Sequence, residues 1–129
     1  FRLPEVCHPP SLRQSPEDRY TSAMSDRLER IREAVLETVF LYLDPACWEV
    51  WLYGSFATGR ADVASDIDLA VRGPSPLPAA TTARILADLE DRVPTLRDFD
   101  LVDLRAVPEA LRRRVLTEGI PWNRVTTAA

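Results

Sequence analysis

Lysine is absent from this sequence: all 16 basic residues among its 129 are arginine. That absence excludes a P-loop, whose phosphate cradle needs the lysine of G-x-x-x-x-G-K-[ST], and it excludes catalysis through a lysine Schiff base. Histidine is nearly missing too. His8, the only one, lies among prolines and is expected at the surface, so no Ser-His-Asp machinery can be assembled. Cys7 and Cys47 are the only cysteines, and neither belongs to a C-x-x-C pair, which leaves no zinc site and no disulfide framework. Apolar runs extend only a few residues, far short of the roughly 20 that cross a bilayer. Net charge is −4 and the pI about 5.0, a balance that argues against a broad nucleic-acid-binding face. No continuous apolar stretch marks a secretory leader, so a reducing cytoplasm is the expected compartment.

What is present suits one domain, because halves of a chain this long would be too small for good cores. Residues 1–23 carry Pro4, Pro9, Pro10 and Pro16 with no sustained period and are read as an irregular arm or an upstream extension. Met24 is the sole methionine; translation starting there and a genuine arm that packs on a partner are both open. The domain is expected over 24–122, with 123–129 as a tail. From Ser25 to Leu43, Leu28, Ile31, Val35 and Val39 recur at helical spacing between charged residues, and Asp44-Pro45 ends the pattern. Residues 48–53 read as a strand, 66–71 as a second and 99–104 as a third. A short helix is expected from Ser55 toward Gly59. Longer helices are expected from Ala79 to Arg92 and from Pro108 to Glu118, the last capped by Gly119 with Pro121 beyond. The fold class is therefore α/β (α+β), a small mixed sheet with helices packed against it.

Three pieces carry chemistry: Gly54-Ser55, Asp66-Ile67-Asp68, and the acidic run Asp98-Phe99-Asp100-Leu101-Val102-Asp103. Alternation along a strand puts Asp66 and Asp68 on one face. Two carboxylates so placed repel, and a divalent cation removes the penalty. Magnesium suits such oxygen ligands when it can also bind phosphate and water. Gly54 lets a phosphate approach the backbone, and Ser55 adds a hydroxyl beside the free N–H groups of a helix start. Gly59 lets the chain bend back toward the second strand.

Tyr53 through Gly59 together with Ser65 through Leu69 resembles the signature of the DNA polymerase β-like nucleotidyltransferases. Ten residues separate the Gly-Ser pair from Asp-x-Asp, the spacing of the minimal (MNT-type) branch. The resemblance covers about Met24 to Trp122. It implies two magnesium ions held by Asp66, Asp68 and a third carboxylate, with Gly54, Ser55, Gly59 and Arg60 around an ATP substrate. The family pattern selects Asp100 as that third ligand; Asp98 shares its strand face, whereas Asp103 faces the other way and reads as a strand-end residue. Thr58 departs from the family, where many relatives carry arginine, and Arg60 is the residue that would take over part of that charge.

The resemblance further implies a HEPN-domain toxin as partner. The chain would then be the antitoxin that transfers AMP to a hydroxyl of that toxin. Alternatives are a non-catalytic antitoxin acting by binding alone, and a small-molecule nucleotidyltransferase of the antibiotic-modifying kind. Trp48, Trp51 and Tyr53 read as core or sheet-surface residues rather than a base-stacking platform. Arg112, Arg113 and Arg114 read as a solvated helix face, and Trp122 as either a partner contact or a cap over the helix.

Overall fold

The computed structural model describes residues 16–62 and 64–123. Helix α1 (Pro16–Val39) is followed by strand β1 (Glu49–Tyr53), a 3-10 turn (Gly54–Phe56), β2 (Ile67–Arg72), α2 (Ala79–Arg92), β3 (Phe99–Asp103), α3 (Glu109–Glu118) and β4 (Ile120–Asn123). The four strands form one sheet in the order β3-β2-β1-β4. Strand β1 runs antiparallel to both β2 and β4, and β2 runs parallel to β3. The parallel pair needs a crossover, and α2 supplies it.

Alternation along the strands divides the apolar residues between two faces. Val50 and Leu52 of β1, Ile67, Leu69 and Val71 of β2, and Leu101 of β3 pack with Val35 and Val39 of α1 and Ile85 and Leu89 of α2. Leu52, Ile67, Leu69, Ile85 and Leu89 are fully buried. Each contributes about 1.5–3 kcal/mol relative to an exposed position. The opposite face is thinner: Trp51, Ala70, Leu104 and Val115 of α3 form a second, smaller cluster. The β1–β2 pair is tied at its far end by Glu49 and Arg72, which are register partners and share an ion pair of 2.6 Å.

Two expectations need correction. Helix α1 begins at Pro16, so residues 16–23 are helical rather than irregular; residues 1–15 lie outside the described residues. Proline suits the first helical turn, where no N–H is needed, and no glycine or proline interrupts the chain between Pro16 and Pro45. At the other end the helix stops at Val39 and unwinds through turns, with Leu41 bonded back to Thr38 and Tyr42 to Val39. The second correction is β4, where no strand was foreseen. Pro121 argues against a central strand, but β4 is an edge strand, and an edge tolerates the missing donor. Its Trp122 is 6 % exposed and belongs to the main core, while its carbonyl accepts a bond from Arg32 Nη2 at 3.0 Å. Trp122 is thus a core residue on the α1 side of the sheet, neither a surface contact nor a cap over α3.

Candidate active site

At the end of β1 the chain turns sharply through Gly54, whose φ is +75°, a conformation that side chains disfavour. The close neighbour matters as much as the angle. A Cβ at position 54 would overlap Asp68 Oδ2, so the glycine makes room for that carboxylate. The expected helix after Ser55 is only the single 3-10 turn Gly54–Phe56, closed by Ala57 and Thr58 N–H groups on the Gly54 carbonyl. So short a turn carries little dipole, and what it offers an anion is its leading N–H groups. Thr58 Oγ1 donates to the Gly54 carbonyl at 3.3 Å and is turned into the bend. Gly59 also has a positive φ, +74°, with open space around it. Arg60 closes the loop through its backbone N–H on the Ser55 carbonyl at 2.8 Å, while its side chain is exposed.

The sheet register then sets the acidic groups. Tyr53 pairs with Asp68, and Asp68 pairs with Asp100, so the three residues form one row across β1, β2 and β3. Residues opposite one another share a face, and this row points to the α3 side of the sheet, beyond the part that α3 covers. Asp68 is half-buried and Asp100 exposed. Burial first, then the charges of Asp100 and Asp66, push the Asp68 carboxyl above its ordinary value. Tyr53 Oη donates to Asp100 Oδ2 at 3.4 Å. Burial and the two neighbouring carboxylates raise this phenol, so it stays protonated and serves as a donor.

Asp66 stands one residue ahead of β2 rather than within it, and is exposed. It is near enough to act on Asp68, and the next amide, Ile67 N–H, is held by the Asp98 carbonyl at 2.9 Å. Asp98 is exposed at the start of β3. Asp103 is used elsewhere: its oxygens accept from the Leu77 and Arg105 amides, both at 2.9 Å. As the side chains stand, no three of the described His, Cys, Asp and Glu residues surround one ion position. The donor chemistry nevertheless fits magnesium, since Asp66, Asp68 and Asp100 offer only carboxylate oxygens and two of them are held in sheet register.

Two residues at this site are not marked as functional by the sequence. Tyr53 was read as a sheet residue, yet its hydroxyl engages Asp100. Arg97 had no motif to mark it, but its Nη1 donates to the carbonyls of Asp62 and Ser65, both at 2.7 Å, and its guanidinium lies 4.7 Å from the centre of the Phe56 ring. Arg112 of the last helix is engaged at the opposite end of the strands. A hollow of about 310 Å³ is lined there by Arg72, Leu104, Arg105 and Arg112. Arg72 is paired with Glu49, Arg105 Nε donates to the Gly73 carbonyl, and Arg112 is paired with Glu109. No helix among the described residues is long and apolar enough to cross a membrane.

A family model described as polymerase beta nucleotidyltransferase matches residues 40–121, which contain the whole acidic row. No curated protein matches the chain by sequence. Among solved structures, one of a toxin–antitoxin with AMP-PNP is 26% identical, with a TM-score of 0.62 over 70% of this chain and 71% of that one. Another, given as a candidate minimal nucleotidyltransferase, is 31% identical, with a TM-score of 0.60 over 74% of this chain and 93% of that one. A third, the tri-AMPylated Shewanella oneidensis HEPN toxin in complex with MNT antitoxin, is 24% identical over 71% of this chain and 68% of that one. Its TM-score is 0.56, and at that identity it speaks for the fold alone.

Proposed function

Because the chain belongs to the polymerase β-type nucleotidyltransferase family, we propose that it moves AMP from ATP to a hydroxyl of a partner protein, as the antitoxin of a HEPN/MNT pair. The observation that carries this reading is the row Tyr53–Asp68–Asp100 with Asp68 seated against Gly54. An unrelieved carboxylate pair on a half-buried sheet face is costly, and it makes sense as a place for cations. Asp66, Asp68 and Asp100 would hold magnesium; the side chains of Asp66 and Asp100 are exposed. Bound magnesium would lower the pKa of the attacking hydroxyl and offset charge on the departing pyrophosphate.

The chain's own residues take the remaining roles. The leading N–H groups of the Gly54–Phe56 turn and the Ser55 hydroxyl bind phosphate oxygens. Asp100, at the open edge of the row, accepts the proton of the acceptor hydroxyl. That oxygen forms a bond to the α-phosphorus while the bond to pyrophosphate breaks. Tyr53, kept protonated, donates to Asp100 and steadies the orientation of its carboxylate. ATP as donor and a toxin as partner are supported by the similar toxin–antitoxin with AMP-PNP; that the toxin is of the HEPN type is what the motif resemblance implies.

Incubation with labelled ATP, magnesium and the product of the adjacent gene tests the reading. Label on the partner is expected, and it should vanish in an Asp66→Asn, Asp68→Asn double variant that keeps its fold. Full neutralisation of the partner without label would replace transfer by a binding-only antitoxin.

A further inference from the structure

We infer that Arg97 is a positioning residue that holds Asp66 in place for cation binding, and that it does so by gripping the peptide bond ahead of Asp66. The inference rests on the nucleotidyl-transfer reading above. Asp66 lies outside β2, at the end of the loop that leads back from Gly59. Nothing in a regular strand fixes it, yet it must stand opposite Asp68. Two consecutive residues of the neighbouring segment supply the missing constraint. The Asp98 carbonyl accepts the Ile67 N–H at 2.9 Å, which fixes the peptide after Asp66. Arg97 Nη1 donates to the Ser65 carbonyl at 2.7 Å, which fixes the peptide before it. A peptide unit is planar, so pinning the Ser65 oxygen also orients the Asp66 N–H and limits where its Cα can go.

The same nitrogen reaches the Asp62 carbonyl at 2.7 Å. Asp62, Ala64 and Ser65 are already bonded to one another: the Ala64 amide bonds Asp62 Oδ1 at 2.8 Å, and the Asp62 amide bonds Ser65 Oγ at 2.9 Å. Arg97 therefore grips two residues, Asp62 and Ser65, that already hold each other. Its guanidinium face lies over Phe56, 4.7 Å from the ring centre, in the turn that begins with Gly54 and Ser55. One side chain thus links the phosphate-side turn, the loop before Asp66 and the strand that carries Asp100. Lysine would keep the charge and donors for the carbonyls, but not the planar stack on Phe56.

Arg97→Met keeps the side-chain stem and removes the grip. In nucleotide-free protein, amides 64–67 should exchange faster in the variant than in the wild type, while the exchange of α2 and β1 stays unchanged. Calorimetry with magnesium and α,β-methylene ATP should show binding weakened about 10–100-fold, the usual loss when a group supporting a metal ligand is removed. Arg97→Lys should recover part of it. The decisive arm is a double-mutant cycle with Asp66→Asn. If Arg97 acts through Asp66, the double variant binds no more weakly than Asp66→Asn alone. Losses that add, or wild-type binding by Arg97→Met, overturn the inference. A wild-type protein that takes up no magnesium nucleotide overturns the transfer reading instead. In that case unchanged exchange at 64–67 in Arg97→Met still sinks the grip, and faster exchange there sustains the grip alone.

Discussion

Two rows of side chains cross the same three strands on the α3 side of the sheet, and they differ in everything but geometry. Trp51, Ala70 and Val102 form one row; Tyr53, Asp68 and Asp100 form the next, two residues along each strand. The first row is roofed by α3, with Leu104 and Val115 fully buried beside Trp51 and Ala70. The second lies past the end of that roof, where a tyrosine and two carboxylates stand half open to solvent. Register and alternation are identical, so the backbone does not distinguish the rows; the cover does. A ten-residue helix over a face that could take a longer one leaves the acidic row accessible.

Substitutions should separate the rows cleanly. The largest effect is expected from Asp68→Asn in the open row: transfer to the partner should fall by about 10²–10³-fold or more, as when a preorganised charged group is removed from a reaction centre. Fold, read by circular dichroism, should persist. Leu104→Ala beside the roofed row should do the reverse, costing about 2–4 kcal/mol through the cavity it leaves. That is a fall in Tm of about 10 °C or more. Its magnesium requirement should be unchanged; a shifted requirement would break the division between rows.

Gly54→Ala should damage both properties at once, because it places a side chain at φ +75° and displaces Asp68. The backbone alone costs about 1–2 kcal/mol. The smallest effect concerns pH. The Asp68 carboxyl is raised in the fold by burial, Asp100 and Asp66, so its ionisation destabilises the metal-free protein. Stability is then greater below the ordinary carboxylate range and is lost as pH rises through the folded-state value. In chelator at pH 7, Asp68→Asn should melt slightly above wild type, and solvent screening keeps the gain under about 1 kcal/mol. At acid pH, where Asp68 is protonated in both states, the difference should disappear. An equal gain at both pH values would mean that repulsion is not its source.

Much of this was legible in the residues. The apolar spacing of Ile85, Leu86 and Leu89 with Pro78 ahead gave α2 its observed limits, and β1 to β3 fall within a residue of expectation. These elements are periodic and buried, so composition reports them directly. The start of α1 was hidden because proline reads as a breaker although it suits a first helical turn. Strand β4 was hidden because Pro121 is acceptable only at an edge, and edge position is a property of the assembled sheet. Arg97 and Tyr53 were missed for a related reason. Their partners are 32 to 47 residues away in the chain, at Ser65 and Asp100, and no local pattern announces such contacts.

The acidic strand has a further effect through its place in the sheet. Strands β3 and β4 are the two margins, and an exposed margin invites another chain to add a strand. Pro121 blunts β4 by withholding a donor, and Asp98, Asp100 and Asp103 at β3 would repel an incoming copy bearing the same charges. Asp100, proposed above as a cation ligand, thereby also helps to guard the chain against stacking into fibres, so removing it together with its two neighbours would be felt in solubility as well as in turnover.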